Sequence, residues 1–320
     1  MQIKNKSLLI IVIIVILLTV ICGCIENGNI GDSSITIKGK NGFYSTIMDA
    51  INDSSEGDTI QVGNGFYNET ITIDKTISLI GENRVNTIIS GNKTGDVIFV
   101  TADYVNISGF TIKNSGDEYS FGVDSGIEIK SDYNTISDNN IISNGNHGLY
   151  FTSGSKYNKI FNNIFKENRY GIYFNNAYEN NIYSNNFSLN TDYGMYFGTQ
   201  SNNNIISDNV FYENQYGIRI KSSDKNSLTQ NSFINCKRGL YFCCGASSNI
   251  VYLNNFKNNS EWNARDGVIN QWDFRNLGNY WDDYNGTDNN GDKIGDNPHI
   301  IPTADNQDNY PLMEPYEKYI

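Results

Sequence analysis

The sequence is poor in the residues that build redox and nucleophilic centres: two histidines, four methionines and five cysteines among 320 residues. His147 and His299 stand in chemically unpromising company, which argues against a nucleophilic triad. The same scarcity leaves no His/Met/Cys cluster for copper, which is therefore not expected. Past the N-terminal region only Cys236, Cys243 and Cys244 remain, without a CxxC pair. At most one disulfide and no thiolate metal cage can come of them. Positive charge is also short, with 23 Lys and Arg against 35 Asp and Glu and a net charge of −12. No basic stripe could neutralise phosphates, so nucleic acid is excluded as a partner. An acidic chain suits cations or neutral glycans instead. Proline, too, occurs only four times, whereas Asn, Gly, Tyr and Ile are abundant, a mixture that suggests short strands separated by many turns.

Long apolar runs are missing apart from Leu8 to Ile21, which falls short of the roughly 20 residues a spanning helix needs. Lys4 and Lys6 precede it, the pattern of a secretory signal. The stretch Ile21, Cys22, Gly23 and Cys24 resembles a lipobox, in which the last cysteine takes the lipid. The expectation is a signal segment over 1–24, lipidation at Cys24, a linker over 25–42 and an exported body. That body would sit at the cell surface or in a periplasm-like space, held to the membrane by its anchor.

An internal period organises the rest. Gly126, Gly148, Gly171, Gly194, Gly217 and Gly239 recur at 22 or 23 residues. Three asparagine columns keep the same beat. They are Asn134, Asn158, Asn180, Asn204, Asn226 and Asn249; Asn139, Asn163, Asn185, Asn209, Asn231 and Asn254; and Asn144, Asn168, Asn190 and Asn214, then Cys236, then Asn259. Between these markers, taken as turns, apolar residues alternate as strands require. One column runs Ile136, Ile160, Ile182, Ile206, Leu228, Val251, and the next Ile141, Phe165, Phe187, Phe211, Phe233, Phe256. Leu149, Ile172, Met195, Ile218, Leu240 and Phe151, Phe174, Phe197, Ile220, Phe242 make two more. No stretch keeps helical spacing, and three short strands per period coil as a parallel β-helix. Asparagine tolerates the left-handed turn conformation, and its amide can bond to the asparagine one rung away.

The expected fold is all-β: a single-stranded right-handed parallel β-helix over 43–262, with a short N-terminal capping helix and an irregular C-terminal segment over 263–320. Ile47, Ala50 and Ile51 lie at helical spacing and would place that helix over the open end, where a bare sheet edge invites aggregation. From residue 59 to 256 there is room for ~9 rungs at ~4.8 Å each.

These residues resemble a known family. Asp49-Ala50-Ile51, Gly57-Asp58-Thr59-Ile60, Leu79-Ile80-Gly81 and the run from Ile107 to Ile112 look like the start of the NosD-like β-helix proteins of archaeal surfaces. The segment Gly278 to Tyr284, then Gly291 to Asp296 and Tyr310 to Met313, matches that family's close. The resemblance implies the pectin-lyase-like fold over nearly the whole mature chain. It implies little about activity, because that superfamily holds sugar binders, lyases, hydrolases, epimerases and the copper-associated namesake.

Asp288, Asn290, Asp292, Ile294 and Asp296 follow the ligand order of a Ca²⁺ loop, although Lys293 and His299 depart from it; the other reading is an acidic solvated turn. Two tyrosine columns flank the glycines: Tyr170, Tyr193 and Tyr216 before, Tyr150, Tyr173, Tyr196 and Tyr241 after. If they point outward, stacked rings make a platform for sugar faces, or they merely brace adjacent rungs. For a sugar-cleaving enzyme the candidate acids are Glu167, Glu213 and Asp192; the first two share a column two rungs apart, ~10 Å. Asn190-Thr191-Asp192 and Arg219-Ile220-Lys221 echo polygalacturonase motifs, but their order relative to His147 is wrong. Asn68, Asn92, Asn106, Asn186 and Asn285 open glycosylation sequons. The expected function is a non-catalytic surface lipoprotein that binds or organises envelope polysaccharide. The alternatives are a lyase, hydrolase or epimerase on the same fold, a copper-associated periplasmic protein, and a purely structural envelope component.

Overall fold

The computed structural model describes residues 34–117, 124–303 and 305–320, so Cys24 and the signal segment lie outside the described residues. Among these no helix is long and apolar enough to cross a membrane. The chain winds into a right-handed parallel β-solenoid of about nine turns. Three sheets run its length. The first extends from Ile35–Ile37 to Ile250–Tyr252, the second from Gly65–Asn68 to Tyr280–Trp281, and the third from Ile71–Ile73 to Trp262–Asp266.

The apolar columns read from the sequence are the registers of these sheets. In the first sheet Ile136 pairs with Ile160, Ile160 with Ile182, Ile182 with Ile206, Ile206 with Leu228 and Leu228 with Val251. In the second, Phe165, Phe187, Phe211, Phe233 and Phe256 stack with ring centroids 4.8–4.9 Å apart, one rung spacing, and Trp281 closes the stack at 4.3 Å. Every member of both columns is buried. Truncating one ring from such a stack costs about 3–5 kcal/mol.

The column asparagines bond amide to amide from rung to rung, as expected, but they are not themselves the left-handed residues. The left-handed residue is the one before each asparagine: Asp138, Asn162, Ser184, Asp208 and Gln230 have φ of 54–58° ahead of Asn139, Asn163, Asn185, Asn209 and Asn231. That turn frees the asparagine to point inward. Asn185 shows the result. Its Oδ1 accepts the backbone and side-chain N–H of Asn163 at 3.0 and 3.1 Å. Its Nδ2 donates to Asn209 Oδ1 at 3.0 Å and to the carbonyls of Ile160 and Tyr183. A buried amide with both donors and its acceptor engaged has its desolvation cost offset by those bonds, which is why so many can be interior.

The glycines also differ from the turn markers expected. They lie inside strands of the third sheet, at a bend where the backbones of successive rungs come close. A Cβ on Gly171 would stand 2.4 Å from the Gly194 carbonyl oxygen and 2.7 Å from Phe187 Cδ1.

The N-terminal end is covered by α1 (Ile47–Asp53), capped by Thr46 and buried through Ile47, Ala50 and Ile51, as the spacing predicts. Glu69 accepts the N–H groups of Ile47 and Met48, an anion at the helix start. The strand Ile35–Ile37 lies antiparallel along Thr59–Val62 and finishes that edge. At the other end Trp272 and Trp281 seal the core, and His299–Ile301 pairs antiparallel with Asn306–Asp308.

Candidate functional site

Tyrosines three residues apart cannot share a face of a regular strand. The glycine bend removes the obstacle: at Gly171 and Ile172 two successive residues face the interior, so Tyr170 and Tyr173 both lie in the outer layer, ring centroids 5.5 Å apart. The third sheet thereby carries two outer columns in register. One runs Ser125, His147, Tyr170, Tyr193, Tyr216, Arg238, Trp262. The other runs Phe99, Glu128, Tyr150, Tyr173, Tyr196, Arg219, Tyr241, Arg265.

All seven tyrosines named from the sequence fall on this strip. Tyr170 and Tyr193 stack at 5.3 Å, Tyr193 and Tyr216 at 4.9 Å, Tyr173 and Tyr196 at 4.9 Å. The columns interlock through Tyr193 and Tyr196 at 5.1 Å. Tyr170 is buried by its neighbours, and the other six are half-buried. Burial raises the pKa of Tyr150 and Tyr196, so their hydroxyls stay protonated. Tyr150 accepts a hydrogen bond from Asn175 at 2.8 Å, and Tyr193 from Arg219 at 3.0 Å.

The strip changes from acidic to basic side chains along its length. At its N-terminal end burial, reinforced by a hydrogen bond with Glu128, pushes Asp96 up to about 8. At its C-terminal end Arg219 sits between Tyr196 and Tyr241, and Arg265 lies over Trp262 at 5.3 Å. His147 lies against Tyr150, Tyr170 and Tyr173 at 5.0–5.3 Å, fully buried, with neither ring nitrogen hydrogen-bonded. Sequence reading missed Glu128, Trp262 and Arg265. Their distances from column neighbours would have found them, but the marker glycine is Asn263 in the last rung, where the pattern stops being visible.

The other candidates lie elsewhere. Glu167 and Glu213 are left-handed turn residues at φ of 57° and 53°, separated by Leu189. Glu167 is ion-paired with Lys166 at 3.1 Å, which lowers its pKa and keeps it ionised. Asp192 pairs with Arg169 at 2.7 Å. The acidic loop closes on itself: Asp288 accepts amides of Gly291, Asp292 and Lys293, Asp292 that of Ile294, and Asp296 that of Asn289. Asn290 Nδ2 bonds to Asp292. Among the described residues no three His, Cys, Asp or Glu are grouped to hold a metal ion.

In fold the chain is similar to the alginate lyase from Paenibacillus sp. FPU-7, at 17% identity and TM-score 0.51 over 70% of this chain and 91% of that one. It is also similar to ORF18 of Geobacillus virus E2, at 18%, TM-score 0.49, 87% and 67%. A third is the A-module of mannuronan C-5 epimerase AlgE6 from Azotobacter vinelandii, at 13%, TM-score 0.39, 71% and 84%. No curated protein matches the sequence. The family described as periplasmic copper-binding protein (NosD) matches residues 26–170 and 163–286, which span most of the chain, and the protein belongs to that family.

Proposed function

We propose that this is an exported surface protein that binds envelope or extracellular polysaccharide along the tyrosine strip, without cleaving it. One observation supports the reading: seven tyrosines stand in two interlocked columns on the outer layer of one sheet. Rings stacked at rung spacing give a sugar chain lying along the solenoid axis a repeated row of ring edges, at little entropic cost because the rings are already fixed. Membership of a family described as periplasmic agrees with export, and lipid attachment at Cys24 belongs to the same proposal. The loop over 288–296 enters it as a self-closed turn. Taking up Ca²⁺ would require Asp288, Asp292 and Asp296 to exchange amide donors for the ion.

Copper, named by the family, does not fit the donors present. His147 is enclosed by three tyrosines, His299 is stacked on Trp281 at 4.4 Å, and Cys236 is buried in an asparagine column. No copper chemistry is assigned to them.

The test is affinity electrophoresis of the full-length protein through polysaccharide gels, with reducing ends assayed in parallel. Retention that is lost in Tyr173→Ala and Tyr196→Ala variants of unchanged thermal stability supports binding. Release of reducing ends would replace it with an enzymatic reading, and absence of both would leave a structural envelope role.

A further inference from the structure

Arginines are few in this acidic chain, and those near the strip are not equivalent. Arg169 is bound to Asp192, and Arg238 to Glu261 at 2.5 Å. Arg219 and Arg265 have no carboxylate partner among the described residues, although acids outnumber bases by 35 to 23. These two share one outer column with Tyr241 between them. Arg219 lies over Tyr241 at 5.6 Å, and Trp262, beneath Arg265, meets Tyr241 edge-on at 5.8 Å. Arg219 bonds to Tyr193 and to Cys243 Sγ, and its Nε is buried without a partner.

We infer that this end of the strip is an anion subsite, in which Arg219 and Arg265 bind the acidic groups of a charged polysaccharide whose ring rests on Tyr241. The inference rests on the proposed glycan-binding role and narrows its ligand to an acidic glycan. A guanidinium without a carboxylate partner and fixed against aromatic rings is preorganised for a planar oxyanion, and its fork can take a carboxylate through two parallel hydrogen bonds. The two cations stand two rungs apart, ~9.6 Å, so one chain lying along the axis can meet both. At the far end of the strip Asp96 and Glu128 offer an acidic group no cation, which gives a bound chain one favoured end. Carboxylate and sulfate share the required chemistry, and the experiment separates them.

Binding of the full-length protein is measured by calorimetry to polygalacturonate, to its methyl ester, to dextran sulfate and to unmodified dextran. Polygalacturonate is expected to bind at least about tenfold more tightly than its ester, the worth of one charge-assisted contact. The preference should shrink as salt is raised. Arg265→Gln, at an exposed position, should remove most of that preference while leaving ester binding within about twofold. Arg219→Lys keeps the charge but not the fork, and should weaken polygalacturonate more than dextran sulfate. Preference for dextran sulfate over polygalacturonate would assign the subsite to sulfated glycans. Equal binding of acid and ester, or an unchanged preference in Arg265→Gln, overturns the subsite. If Tyr173→Ala still abolishes binding in that case, the tyrosine-strip reading survives alone; if no polymer binds, both fail.

Discussion

Asn279 donates both its backbone and its side-chain N–H to one oxygen of Asp308, at 2.7 and 3.3 Å. It is the last of seven asparagines that begin at Asn139, each passing its amide N–H to the next. The other two columns end the same way. Asn270 bonds to Asp266, and Asn259 reaches Asp282 and Asp283 through Asn263. Such a chain finishes with donors and no acceptor, and only an acceptor without hydrogens of its own can end it cleanly.

Asp308 also accepts the Trp281 indole and the Tyr310 amide, yet burial pushes its pKa from 3.8 to about 7. The folded protein therefore binds a proton between those values that the unfolded chain releases, so this group makes stability fall as pH rises from about 4 to about 7. Asp308→Asn should flatten that part of the profile relative to wild type, measured by denaturant unfolding across the range. An identical slope in both would remove Asp308 as the cause.

Cys236 interrupts the third column. Asn214 Nδ2 keeps its bond to the Phe187 carbonyl at 2.8 Å but meets Sγ at 4.0 Å where the next amide oxygen should be, while the Cys236 amide still donates to Asn259. Cys236→Asn should restore the missing links and stabilise the protein by roughly 0.5–1.5 kcal/mol. A lower unfolding midpoint in the variant would show that the site has adapted to the thiol.

Gly171→Ala sets a methyl group against the Gly194 carbonyl and Phe187. Overpacking of this kind costs roughly 1–3 kcal/mol. A midpoint unchanged in urea would mean that the bend relaxes.

His147 is held neutral, its pKa lowered to about 3 by burial and by Arg169 nearby. The folded form refuses a proton that the unfolded chain takes below 6.5, so stability is lost as pH falls from about 6.5 towards 3. His147→Phe should abolish that contribution and, by removing two unpaired nitrogens, stabilise the protein at pH 7 by about 1–3 kcal/mol. Destabilisation at pH 7 would instead reveal a partner for the ring.

The coil was legible because each rung repeats one solution. Ile136, Ile160 and Ile182 meet in space as they align in sequence, and the tyrosine columns follow from the same spacing. What stayed hidden breaks the period or needs three dimensions. The left-handed residue varies among Asp, Asn, Ser and Gln, so composition pointed to the constant asparagine beside it. The glycines were taken for turns because close approach of Gly171 to Gly194 has no signature along the chain. Arg219 was visible as an interruption of the tyrosines, but its lack of a carboxylate partner was not. Asp308 lies 29 residues beyond Asn279, outside the 22–25-residue steps of the asparagine column it ends.

Because the links of the amide columns, Cys236 apart, are alike and point the same way, the molecule has no preferred number of coils. Duplication or deletion of one 22–24-residue unit would rejoin the columns without an orphaned donor, provided the terminal aspartates stayed in place. Length can thus drift by whole units in descent, and with it the reach of the aromatic strip, much as a ruler is cut to size between two fixed ends.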